Sequence, residues 1–100
     1  MVYDPGALNA SLAAAVGSDT ELMRELRAAF VESAERHLDL MSRARCDANW
    51  GFSAARMKSL AASFGAVGLA ALADEALDGA PGDPVVLRKL RAAIDDFAAG

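Results

Sequence analysis

Few side chains in this sequence could do covalent or metal chemistry. There is one histidine, His37, and one cysteine, Cys46. A single thiol excludes a disulfide within the chain, and no second Cys or His stands at ligand spacing from either residue. The bland reading of Cys46 is a buried or half-buried, inert thiol. The inward Glu-x-x-His pairs of di-iron helical proteins are absent too. Neither a metal nor a cofactor is expected. Ser59 follows Lys58 but has no adjacent base, and an unactivated hydroxyl is a poor nucleophile. What remains is a small set of cations and small residues between positions 52 and 62, a set better suited to recognition than to bond-breaking.

The composition points to helices. Of the 100 residues, 54% are hydrophobic and 24% charged, which fits one globular domain rather than a disordered chain. Much of the apolar content is alanine, which loses no side-chain entropy in a helix. The formal net charge of −4 has both signs intermixed. A nucleic-acid partner, which wants a concentrated basic face, is therefore not expected. The first residues lack the basic-then-apolar order of a signal peptide, and no apolar run reaches the roughly 20 residues needed to span a bilayer. A cytoplasmic protein without membrane contact is expected, as a monomer or weak homodimer.

Boundary signals divide the chain into five helices. Asp4-Pro5 starts a short one over about 5–16, with Leu8, Leu12 and Val16 as its apolar stripe and Gly17 as its stop. Ser18-Asp19-Thr20-Glu21 reads as a capping box opening a helix over about 19–45. Leu22, Leu26, Phe30, Ala34, Leu38 and Met41 recur along it at helical spacing, while Arg24, Arg27, Arg36, Arg43 and Arg45 alternate with acids as a solvated face does. Asp47 to Asn49 form the connection to a helix over about 50–64, which Gly65 ends. A helix over about 67–78 buries Leu69, Leu72, Ala73 and Ala76, and its Asp74, Glu75 and Asp78 read as surface charge. Gly79 and Pro81 then break the chain. Asp83-Pro84 repeats the start signal for a last helix over about 84–98, carrying Val86, Leu87, Leu90, Ile94 and Phe97. No segment alternates long enough to be a strand. The fold expected is all-α, an antiparallel up-down four-helix bundle with the short N-terminal helix packed across one end.

The helix over about 50–64 has two unlike faces. At 100° per residue, Trp50, Ser53, Met57, Leu60, Ala61 and Phe64 share a side, an ordinary core stripe, with Trp50 capping the bundle end. The opposite side gathers Gly51, Phe52, Ala55, Lys58, Ser59, Ala62 and Ala66. An outward face normally carries Glu, Lys, Arg and Gln. This one is nearly smooth, with one cation in its middle, Phe52 near its edge and Arg56 flanking it. Abundant alanine with nothing docked is one reading; a protein-docking surface is the other.

The stretch A-A-R-M-K-S-L-A-A-S-F-G-A at 54–66 resembles the third-helix pattern of histidine-containing phosphotransfer (HPt) domains, A-H-x-L-K-G-S-A-x-x-L/F-G-A. Ala54, Lys58, Ala61, Phe64, Gly65 and Ala66 fall in register, and Met57 replaces a leucine. D-P-G-A-L, G-S-D-T-E-L, Phe30 to Ala34 and L-A-A-L-A-D-E-A-L are similar to the family's other helices, so nearly the whole chain is covered. Three positions depart. The phosphoacceptor histidine falls on Ala55, the following glycine on Ser59 and the serine on Leu60.

The resemblance implies a two-component phosphorelay module that binds a response regulator receiver domain or a histidine kinase. Phe52, Ala55, Arg56, Lys58, Ser59 and Ala62 would form its docking face. In the family an imidazole takes the phosphoryl group from the regulator's aspartyl phosphate, and the regulator supplies the metal. A methyl group cannot do this, so phosphate acceptance at Ala55 is not expected and the protein is read as a non-catalytic binder. His37 is expected near the height of Lys58 but on the Leu26, Phe30 and Met41 side, half-buried and hydrogen-bonded in a structural role. Two other readings remain open. One is active phosphotransfer, through His37 or through a histidine replaced at position 55. The other is a non-signalling bundle that self-associates through its smooth face.

Overall fold

The computed structural model describes residues 10, 12–14, 17 and 19–99. Helix α1, Thr20–Arg43, is capped by Asp19, whose Oδ1 accepts a hydrogen bond from the Leu22 N–H at 3.0 Å. The cap is therefore Asp19 rather than the expected Ser18, which lies outside the described residues. With Asp19 as cap, Glu21 sits one residue too early to close a capping box. It faces Arg24 instead, at 3.3 Å.

α1 ends two residues before its expected limit, because Ala44 turns extended with φ −68° and ψ 131°. α2, Asp47–Ser63, begins three residues earlier than expected. Residues 47–49, read from sequence as connection, are its first turn, and the Trp50 N–H already bonds to the Cys46 carbonyl at 3.0 Å. An acidic Asp47 in that turn complements the positive end of the helix dipole. Only residues 44–46 join the two helices.

α2 closes in a Schellman motif. Gly65 adopts φ 72°, its N–H bonds to Ala62 O at 3.2 Å, and the Ala66 N–H reaches Ala61 O at 2.8 Å. Gly65 is thus the stop the sequence promised, at a φ that a Cβ would strain. The motif also corrects one placement. Ala66, expected on the outward face of the helix, is fully buried, because the turn carries it out of helical register.

α3, Val67–Leu77, follows at once, and α4, Pro84–Ala99, starts at Asp83-Pro84 as expected. Asp83 Oδ1 accepts from the Val85 N–H at 2.9 Å. Ala10 and residues 12–14 are also helical. The rest of the expected 5–16 helix lies outside the described residues. Among the described residues there is no strand, and the fold is all-helical.

α1 packs on α2 and α4, and α3 packs on α2 and α4. Alanines make the approach close: Ala34, Ala54, Ala61, Ala73, Ala76 and Ala93 are fully buried. Two larger clasps sit at opposite ends of α2. At its start, buried Trp50 donates its Nε1–H to the Ala76 carbonyl of α3 at 2.7 Å. Just past its end, Phe64 meets Phe30 of α1 at 5.1 Å between ring centroids, and Phe30 meets Phe97 of α4 edge-on at 5.5 Å. At 1.5 Å per residue the clasps stand about 20 Å apart.

The Ala76 carbonyl also accepts from the Gly79 N–H at 3.0 Å. Trp50→Phe therefore leaves it satisfied, and we expect a loss of only about 1–2 kcal/mol in urea unfolding. Trp50→Ala, which empties the site, should cost about 3–5 kcal/mol.

Candidate functional site

The rotation of α2 between its neighbours determines which residues reach solvent. Trp50, Ser53, Ala54, Met57 and Ala61 are buried. Phe52, Ala55, Arg56, Lys58, Ser59 and Ala62 are all exposed, as the sequence pattern predicts for the smooth face. Phe52 is 64% exposed, so it contributes almost nothing to the core. Leu60, assigned to the core stripe from sequence, is only half-buried.

The two cations of this face are held differently. Lys58 Nζ lies 2.7 Å from Asp74 Oδ1 of α3, with both side chains about half exposed. Its charge is shared with a carboxylate of the same chain. Sequence alone could not show this, because the pair depends on how α3 packs on α2. Glu75, the next acid, is likewise taken up, by Lys89 of α4 at 2.9 Å. The acidic cluster of α3 is therefore divided between two neighbouring helices rather than presented whole. Arg56 has no carboxylate partner among the described residues; its guanidinium carbon stands 5.5 Å from the Phe52 ring centroid, a cation–π contact.

An open groove of about 470 Å³ runs between α1 and α2 beside Ala55. Arg56, Ser59, Leu60 and Ser63 line it from α2, with Phe52 at its edge, and His37 lines it from α1. His37 is partly buried, as expected, but it is not the hydrogen-bonded histidine the sequence suggested. Its Nδ1 is buried with no hydrogen-bond partner. The ring shares the groove with Ser59, Leu60 and Ser63 of α2. Burial, then the charges of Arg56 and Arg36, hold its pKa below the ordinary 6.5. Arg36 itself is drawn to Glu32 at 3.1 Å and to the Ser33 hydroxyl at 3.0 Å.

Among the described residues no hydroxyl of the groove is hydrogen-bonded to the His37 ring, and position 55 carries only a methyl group. Among the described residues, no three His, Cys, Asp or Glu side chains converge as metal ligands. Cys46, expected to be buried or half-buried, is exposed. No helix is long and apolar enough to cross a membrane, again among the described residues. The arrangement offers an exposed aromatic side chain, two cations and a recess with hydroxyl and imidazole groups. The recess was not legible in sequence, because its two walls come from different helices.

The lowered pKa of His37 has a consequence for stability. The folded state prefers the neutral ring, so on acidification the unfolded chain takes up its proton first. Stability is fully present above the ordinary value of 6.5 and declines as pH falls through it toward the lower folded value. Urea midpoints should therefore drop between about pH 7.5 and about pH 5.5, above the usual carboxylate range. His37→Gln should flatten that segment of the profile.

Compared with models of protein families, curated proteins and solved structures, the chain matches none.

Proposed function

We propose that this chain is an HPt-like docking module of a two-component phosphorelay. It binds a response regulator receiver domain, or the histidine kinase, through the outward face of α2, and it does not accept phosphate at Ala55. The observation that carries this reading is the joint exposure of Phe52, Ala55, Arg56, Lys58, Ser59 and Ala62 on one helix face. An apolar anchor, small residues and cations together suit an acidic partner surface. In this reading the four helices form an antiparallel up-down bundle, with the N-terminal helix across one end. The order in which the helices pack, each on its neighbours in the chain and α4 back on α1, supports that arrangement.

Bound this way, the module would compete with phosphotransfer proteins for their regulator. Phosphoryl transfer would need a nitrogen that attacks phosphorus as the aspartyl P–O bond breaks and a P–N bond forms. Position 55 offers none. His37, open to the groove beside it, supplies the observation for a second reading, in which it is the acceptor.

Incubation with phosphorylated receiver domains separates the two. Binding without acid-labile label on the protein supports the docking reading; label on His37 overturns it. Phe52→Ala should weaken binding by at least about tenfold, or about 1.4 kcal/mol. Because Phe52 is exposed, unfolding should change by less than about 0.5 kcal/mol. Lys58→Glu should weaken binding as well, by placing a like charge before an acidic partner. Ala55→His should restore label acceptance. Failure of every receiver and kinase to bind, together with sedimentation as a dimer that Phe52→Ala dissociates, would replace this function with self-association.

A further inference from the structure

The groove between α1 and α2 beside Ala55 brings a guanidinium together with no carboxylate. The groove between α1 and α4 pairs Arg88 and Arg91 with Asp39 and Asp95, and the one near Phe97 sets Arg24 and Arg27 against Glu32 and Glu35. No carboxylate lines the groove beside Ala55. The recess lined by Arg43, Asn49 and Phe52 has no acid either, but Arg43 is taken up by Asp39 at 2.7 Å. In a chain of net charge −4, the groove beside Ala55 is set apart by a guanidinium without a carboxylate partner among the described residues, which attracts anions.

Its donors also suit an anion. Arg56 carries a full charge with no carboxylate partner among the described residues, and its contact with the Phe52 ring leaves its N–H fork unengaged. The Ser59 hydroxyl has no hydrogen-bond partner among the described residues. The Ser63 hydroxyl donates to the Ser59 carbonyl at 2.9 Å. From the opposite wall His37 contributes a ring whose Nδ1 is buried, leaving Nε2 as its accessible nitrogen.

We propose that this groove is a binding site for a small oxyanion, a phosphoryl or carboxylate group. Arg56 supplies the charge, Ser59 a hydroxyl donor, and His37 a second donor that becomes cationic as the anion arrives. The groups of like charge that face the imidazole are Arg36 from α1 and Arg56 from α2, and an anion between the walls offsets the repulsion of both. Binding is therefore coupled to proton uptake at His37 and strengthens as pH falls. The site stands whether or not a receiver domain is the partner, since it concerns the isolated chain and a free ion.

The test is a pH titration of the His37 ring by long-range proton–nitrogen NMR on the whole chain. It is run in chloride, inorganic phosphate and acetate at matched ionic strength. The expected result is a rise of the His37 midpoint by about one pH unit at saturating phosphate or acetate relative to chloride. The larger response tells a phosphoryl site from a carboxylate site. Arg56→Ala should abolish the difference between salts, even though its own midpoint in chloride starts higher. Arg88→Ala, on another groove, should leave the difference intact. Equal midpoints in all three salts, or an Arg56→Ala protein that responds like the parent, would overturn the proposal.

Discussion

The rotation of α2 about its own axis is the constraint on which the rest of this structure depends. The helix packs on α1 and on α3, and only one narrow set of its residues can face both. Ala54, Met57 and Ala61 fill that set, all fully buried. Alanine stripes pack closely but hold rotation poorly, since a small turn of the helix moves little volume. The rotation is held instead by its ends. Trp50 is tied by a directional hydrogen bond to Ala76, and Phe64 is wedged against Phe30. A turn of one residue, about 100°, would bury Lys58 and Ala55 and expose Met57. With both ends clasped, that alternative is closed.

Once α2 is set, so is the electrostatic layout. Lys58 meets Asp74, Lys89 meets Glu75, and Arg91 meets Glu35 at 3.4 Å, each pair linking two helices. All are substantially exposed, so they add little to stability. Their effect is on charge distribution: they engage Lys58, Lys89 and Arg91 and leave Arg56 over Phe52 beside a groove without carboxylates. The same rotation gives that groove its second wall, His37, whose shifted titration is a product of packing rather than of its neighbours in sequence. An exposed, nearly smooth helix face and a recess without carboxylates thus arise from one placement of one helix.

Helix boundaries were largely legible because local chemistry sets them. Gly65 and Asp83-Pro84 acted where they stand, through a positive φ and a carboxylate cap. Misreadings came where two local signals competed or where a turn broke the register. Asp19 displaced Ser18 as cap, residues 47–49 coiled into α2, and Ala66 left the outward face for the core. The exposed set on α2 followed from periodicity alone, since 100° per residue holds for as long as the helix does. The Lys58–Asp74 pair and the surroundings of His37 did not, because both depend on contacts between helices.

By itself, then, the sequence determined that the chain is helical, where most of its helices stop, which side of α2 is smooth, and that position 55 offers no nucleophile. These are local properties of backbone preference, periodicity and side-chain identity. Only the tertiary structure decided that Lys58 is already engaged, that Arg56 is not, and that His37 shares a groove with Ala55. Those outcomes rest on distances between residues far apart in the chain. Coulomb forces and desolvation depend on such distances, which no local pattern encodes.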